Sequence, residues 1–391
     1  MPNKADLSVE VARTPSAVAA LRHSWRHLPR NPNADVDYYL AVLASRKEIL
    51  RPHVVVLKQD GAVRSILVGR IERTAVEVGL GYKKLRLSNV RCLTLIYSGM
   101  LGDDSEETAL ANVKSVMSSL KAGEADIAWF NHVRTGSAVY HAAVKGQNFL
   151  SRDHFPVMNQ HWRLRLPATY EALHQRLSSN TRHNVKRYSK RLLDTFKDRL
   201  TVKSFRNCSE VEQTLKDTEA IASKSYHRGL GAGFVNNTET QRIWSLAARE
   251  DWLRAYLLYI DEKPVAFWNG LLYGKTFFTG TTGFDSAFGE YRPGIFLLRK
   301  MVEDLCQENV ADAIDFGFGD AQYKRDWCDE NWQEASIFLF SPTFKGALLN
   351  ATRTPLLALS KSAQHILAHV GLLARVKRLW RDRLEGKEQQ A

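Results

Sequence analysis

Apolar and polar positions change period several times along this chain, and the clearest succession of changes lies between residues 276 and 327. Thr276–Phe284 is rich in aromatic and β-branched residues and ends at Gly283 before the polar residues 285–290, so the pattern predicts a strand. Tyr291-Arg292-Pro293-Gly294 follows, and Ile295, Leu298, Met301, Val302 and Leu305 then repeat at helical spacing. Proline is pre-organised for a first helical position, so the helix starts near Pro293. Residues 313–316 predict the next strand, which runs into Gly317-Phe318-Gly319-Asp320 and the turn Tyr323-Lys324-Arg325-Asp326-Trp327.

A helix that starts beside the end of a strand is a place for anion chemistry. Its free N–H groups and the positive end of its dipole attract negative charge, Gly294 permits close approach, and Arg292 adds a fixed cation, so a phosphate fits there. Turns at strand ends, such as residues 317–327, are likewise where sites sit.

The same order of elements occurs twice. Residues 16–28 and 36–49 predict helices, 53–57 and 62–72 a hairpin, 91–97 a strand, then a helix to about residue 120 and a strand at 126–130. In the second half, Leu253–Ile260, residues 264–273, Thr276–Phe284, the helix and the strand at 313 repeat that plan. At the first helix start stand Leu101-Gly102-Asp103-Asp104-Ser105, whose carboxylates repel phosphate, so the second copy is the expected active one. The expected division is 1–158, 159–345 and a tail, 346–391. At 391 residues, two domains are also what length alone predicts.

Charge sharpens this picture, because two segments carry +11 of the net +13. Residues 180–200 hold seven Lys/Arg against Asp194 and Asp198. There a helix capped by Ser178 or Ser179 sets Val185, Tyr188, Leu192 and Phe196 on one stripe, opposite Arg182, His183, Lys186, Arg187, Lys190 and Arg191. Self-repulsion on that face calls for an anionic partner. The tail holds the second segment, with Leu348, Leu349, Leu356 and Leu357 early in it and Arg375, Lys377, Arg378, Arg381 and Arg383 late. Such helices either pack on their own domain or lie on an anionic membrane.

Other classes fall away. The four cysteines are far apart, and neither Cys-x-x-Cys nor a His pair at ligand spacing occurs, so no metal site is expected. Residues 1–15 lack a signal-peptide core and no run of eighteen uncharged apolar residues occurs, which leads to the expectation of a cytoplasmic protein. The glycine-rich residues 227–233 lack a preceding strand and a following Lys-Ser/Thr, so they read as a lid or acceptor loop around His227.

Tyr-Arg-Pro-Gly opening a helix, followed by Asp-Phe-Gly-x-Gly-Asp-x-x-Tyr-Lys-x-x-Trp, resembles the divergent GNAT-type acyltransferases. Within them it looks most like the group named after the cellulose-biosynthesis protein CelD, related to the FemAB transferases. The resemblance implies an α/β fold of two tandem units, each with a mixed, mostly antiparallel sheet flanked by helices, and transfer of an acyl group from a coenzyme A thioester to an amine in polysaccharide or envelope synthesis. By resemblance, the pantetheine lies along Thr276–Phe284 at Thr279 and Thr281, and the pyrophosphate at Arg292, Gly294 and Ile295, with Lys324 near the thiolate. Tyr323 is the implied general acid, and Asp320 or Asp285 the base or an acceptor clamp. Arg182, Lys186, Arg187, His227 and Trp268 are the implied acceptor contacts, and no strand glutamate supplies an evident base. Two rivals follow from the same residues: an aminoacyl-tRNA-dependent transferase whose basic helix grips RNA, and a non-catalytic scaffold on a membrane surface.

Overall fold

The computed structural model describes residues 7–80, 83–225, 228 and 233–369. His227 and the late tail residues 370–391 therefore lie outside the described residues. The chain separates into two compact units, residues up to 29 with 47–158 and those from 335 on, and residues 30–46 with 159–334. Each has a mostly antiparallel sheet flanked by helices, as expected. Residues 30–46 join the second unit, and the chain returns to the first at 335.

In the first unit the strands Leu7–Ala12, Val54–Gln59, Ala62–Leu80, Lys83–Gly102 and Ile127–Arg134 pair in that order, and Ile49–Pro52 pairs with Ala62–Leu80. The last pairing, Cys92–Leu95 with Ile127–Phe130, is parallel. The helix Glu106–Lys121 covers one face, where Ala109, Val113, Val116 and Leu120 meet Val55, Leu57, Leu67 and Leu93. Ser105, a predicted helix start, caps it by accepting from the Thr108 N–H. The hairpin is much longer than the pattern predicts, with pairing from Ser65↔Gly102 to Leu80↔Lys83. Charged residues such as Arg73, Glu77, Lys83, Lys84 and Arg86 hide the alternation there.

The second unit orders its strands Val157–Arg165, Ala313–Phe318, Thr276–Phe284, Lys263–Tyr273, Leu253–Ile260 and Leu200–Phe205. Every residue of Leu253–Ile260 is buried, because the strand is covered on both faces. Leu253, Ala255, Leu257 and Tyr259 face the helices Val211–Ala222 and Thr238–Arg249. Tyr256, Leu258 and Ile260 face the other layer, which contains the helices Ser179–Phe196 and Pro293–Glu308. The helix Pro293–Glu308 buries Phe296, Leu297, Leu298, Met301, Val302 and Leu305, close to the predicted stripe.

Among the described residues, no helix is long and apolar enough to cross a membrane.

Candidate active site

The strands Thr276–Phe284 and Ala313–Phe318 run parallel and pair only over Thr276–Phe278 and Ala313–Asp315. Both continue beyond that point, one by six residues and the other by three, without further pairing to each other. The Thr279 hydroxyl donates to the Asp315 carbonyl at 3.1 Å and closes the fork. On its other edge, Thr276–Phe284 pairs with Lys263–Tyr273 through an irregularity between Trp268 and Gly270. Asn269 fills it: its Oδ1 accepts from the Thr281 N–H at 2.8 Å and its Nδ2 donates to the Thr281 hydroxyl at 3.0 Å. Sequence reasoning missed Asn269, since a bulge has no periodic signature.

Beside this fork stands the helix start at Arg292. Arg292 is its N-cap in the left-handed conformation (φ 53°), offers no side-chain cap, and no acid lies in the first turn. Such a backbone strains a non-glycine residue and leaves the first N–H groups without a capping side chain. A Cβ added at Gly294 would meet only Phe284 Cδ1 at 3.7 Å, so packing alone does not demand glycine there. Ile295 is half-buried, and its N–H donates to the Arg292 carbonyl at 3.1 Å.

Trp268 joins this helix start to the turn after the neighbouring strand. Its Nε1 donates to the Gly294 carbonyl at 3.0 Å. Its ring meets Tyr323 edge-on at 5.4 Å and Phe316 at 6.0 Å, and Phe316 also touches Tyr323 at 5.8 Å. Burial, and secondarily Cys328, pushes the Tyr323 phenol up to about 12, so it keeps its proton at neutral pH. Lys324 is buried, and its ammonium donates to the carbonyls of Phe318 at 2.9 Å and Gly317 at 3.4 Å. Desolvation lowers its pKa.

A buried ionic cluster holds that turn. His161 is fully buried, its Nε2 faces Asp315 Oδ1 at 2.8 Å and its Nδ1 faces Glu334 Oε1 at 3.1 Å. Burial alone would lower the imidazole pKa, but hydrogen bonds to Asp315 and Glu334 outweigh it and raise it to about 9. Asp315 Oδ1 also accepts from the Gly317 N–H at 2.8 Å, which fixes the chain where it bends at φ 67°. Trp332 stacks on the imidazole at 4.3 Å and donates to Glu334. Asp315 opens the motif that ends at Trp327, whereas His161 and Glu334 lie outside it and no motif announces them.

The expected carboxylates stand in other company. Asp320 is exposed and ion-paired with Arg325. Asp285 is buried; it accepts from the Ala287 N–H at 3.1 Å as a turn cap and meets Lys224 Nζ at 3.1 Å. On the helix Ser179–Phe196, Ser178 is the cap, and Thr181, Val185, Ser189, Leu192 and Phe196 are buried, with Tyr188 only half-buried. Arg182 donates to the Gln175 carbonyl at 2.9 Å, and Arg187 lies over Tyr188. Arg191 pairs with Glu290 and lies over Tyr291, which ties the basic helix to the loop before Arg292. Lys186 and Lys190 are exposed without an acidic partner among the described residues. In the same description, no group of three or more His, Cys, Asp or Glu is placed to hold a metal ion.

Comparisons with known proteins bear on this arrangement. No curated protein sequence matches the chain. The crystal structure of FemX is similar over 85% of this chain and 97% of that one, at 11% identity and a TM-score of 0.52. The C-terminal domain of a lysylphosphatidylglycerol synthetase from Agrobacterium fabrum, itself described as putative, is similar over 87% and 97%, at 13% identity and 0.50. A conserved protein of unknown function from Bacteroides thetaiotaomicron VPI-5482 is similar over 85% and 100%, at 11% identity and 0.51. These likenesses concern the fold. Residues 179–325, which contain the fork, the helix start and the Tyr323 turn, match the family model of the acetyltransferase (GNAT) domain, and the activity class this indicates is a transferase.

Proposed function

We propose that the protein is an N-acyltransferase that moves an acyl group from a coenzyme A thioester to an amine. The observation that carries the reading is the Trp268 bridge, which sets the open helix start at Arg292 and Gly294 and the protonated phenol of Tyr323 on one frame. The helix start suits the donor's pyrophosphate, and the unpaired length of Thr276–Phe284, with Thr279 and Thr281, suits an extended amide-bearing arm. Gly294 offers a backbone N–H group there, whereas the Ile295 N–H is already held by the Arg292 carbonyl.

In the reaction the amine nitrogen attacks the thioester carbonyl, the C–N bond forms, and the C–S bond breaks. Tyr323 gives its proton to the departing thiolate, and the Lys324 ammonium, next to it in the chain, supplies positive charge. The amine's own proton goes to Asp285 or Asp320, each of which must first part from a cation, Lys224 or Arg325. Arg182, Lys186 and Arg187 on the basic helix favour an anionic acceptor, in keeping with an envelope or polysaccharide precursor of the kind the CelD-like resemblance implies. The cytoplasm, where acyl-CoA is made, is the setting this requires.

The exposed Lys186 and Lys190 favour a second reading, in which an aminoacyl-tRNA replaces the thioester donor. Binding would then weaken steeply with salt. Thiol release from acetyl-CoA, followed with and without amine-bearing acceptors, tests the first reading. Amine-dependent release supports it. Binding of tRNA together with failure to bind acetyl-CoA or longer acyl-CoAs would replace it with the second.

A further inference from the structure

The helix Phe344–His369 of the first unit has two apolar faces, and its own unit covers one of them. Leu349, Leu356 and Leu357 pack against Val90, Cys92, Ile127 and Phe340. Arg353 is buried in an ion pair with Asp153, and the Asn350 amide donates to the carbonyls of Leu150 at 2.7 Å and Arg152 at 3.1 Å. These contacts fix the helix's rotation. On the other side Phe344 is 84% exposed, and Leu348 and Leu359 are more than half exposed. Ala351 and Pro355 are exposed between them, and at helical spacing the five positions fall within about 80° of arc. Scattered exposed apolar residues need no explanation, but a continuous stripe of them on a surface does.

The sequence around the stripe selects its occupant. Residues 341–381 contain seven Lys/Arg and no acid, and Arg375, Lys377, Arg378, Arg381 and Arg383 follow the described helix. A second copy of this chain would bring like charge against like. A nucleic acid would answer the cations and leave the apolar stripe bare. We propose that this stripe docks on an anionic lipid surface, the apolar side chains entering the headgroup boundary and the following cations meeting the charge. The docking face belongs to the first unit and does not depend on the acyl-transfer reading.

Flotation of the full chain tests it, with vesicles of phosphatidylcholine plus phosphatidylglycerol beside vesicles of phosphatidylcholine alone. The full chain should float with the first and not the second, and added salt should release it. Leu348→Gln with Leu359→Gln should weaken partitioning by about tenfold or more, given the apolar area withdrawn from lipid. The melting temperature should stay unchanged, because both side chains are already exposed. No flotation with anionic vesicles, equal flotation with both kinds, or an unaltered partition of the variant would overturn the proposal. A salt-resistant dimer that the same substitutions dissociate, without vesicle binding, would assign the stripe to a second copy instead. A lowered melting temperature in the variant would show the leucines to be packed, and would also overturn it.

Discussion

The Trp268 indole donates to the Gly294 carbonyl at 3.0 Å while the same ring stands edge-on to Tyr323 with centroids 5.4 Å apart. One side chain therefore sets the spacing between the helix start and the phenol. Trp268→Phe keeps a ring in the aromatic cluster and removes only the donor, a change of about 0.5–1.5 kcal/mol. The expected result is acetyl-CoA affinity weakened by about three- to tenfold with the fold retained, measured by calorimetry and circular dichroism. Unchanged affinity would detach Trp268 from the donor site.

Tyr323→Phe separates the phenol's chemistry from its packing. The ring can stay against Trp268 and Phe316, so donor affinity should hold while single-turnover rates fall by about 10²-fold, the scale of general-acid catalysis. A structural tyrosine would leave both the rate and its pH profile unchanged, and would pass the proton to another group.

Replacing Lys186, Arg187 and Lys190 together with Gln removes three exposed cations from a helix whose buried side is untouched. Donor affinity should remain within about twofold, since surface charges away from the contact contribute little. Use of an anionic acceptor should fall, read as a raised KM. A fall in donor affinity instead would move the basic helix to the coenzyme.

The imidazole of His161, held between Asp315 and Glu334, makes stability depend on pH in a definite direction. Its pKa rises from 6.5 to about 9 on folding, so its contribution is complete below about 6.5 and is lost as pH climbs through 9. Urea midpoints of the full chain should fall between pH 6.5 and 9 in consequence. His161→Gln should be less stable at pH 6 and show a flatter alkaline slope. An equal slope in both proteins would mean that the buried imidazole is not charged.

The parts of this site that were legible in the sequence are those with a local period. Phe296 to Leu305 and Val185 to Phe196 announce their helices because one face of each is apolar at helical spacing. Tyr188 was expected in the buried stripe, but the small Thr181 and Ser189 occupy it, since chain packing rewards fit as well as polarity. The Asn269 bulge and the union of His161 with Asp315 and Glu334 come from strands meeting across long sequence separations, which no window contains. Residues 73–80 and 83–90 are hidden as strands because their charges mask the alternation, and the tail helix turns one apolar face to its own unit and leaves the other exposed.

The most direct test is calorimetric titration of acetyl-CoA into the protein and into Arg292→Glu, beside Arg292→Gly as a control for backbone strain. Arg292 sits in the left-handed region at an uncapped helix start, so glycine relieves strain and removes the charge, while glutamate sets an anion where a pyrophosphate would bind. The account predicts binding by the natural sequence, weaker binding with glycine despite equal or higher melting temperature, and a loss of about tenfold or more with glutamate. Equal affinity in all three would contradict it and remove the donor's phosphates from this helix start.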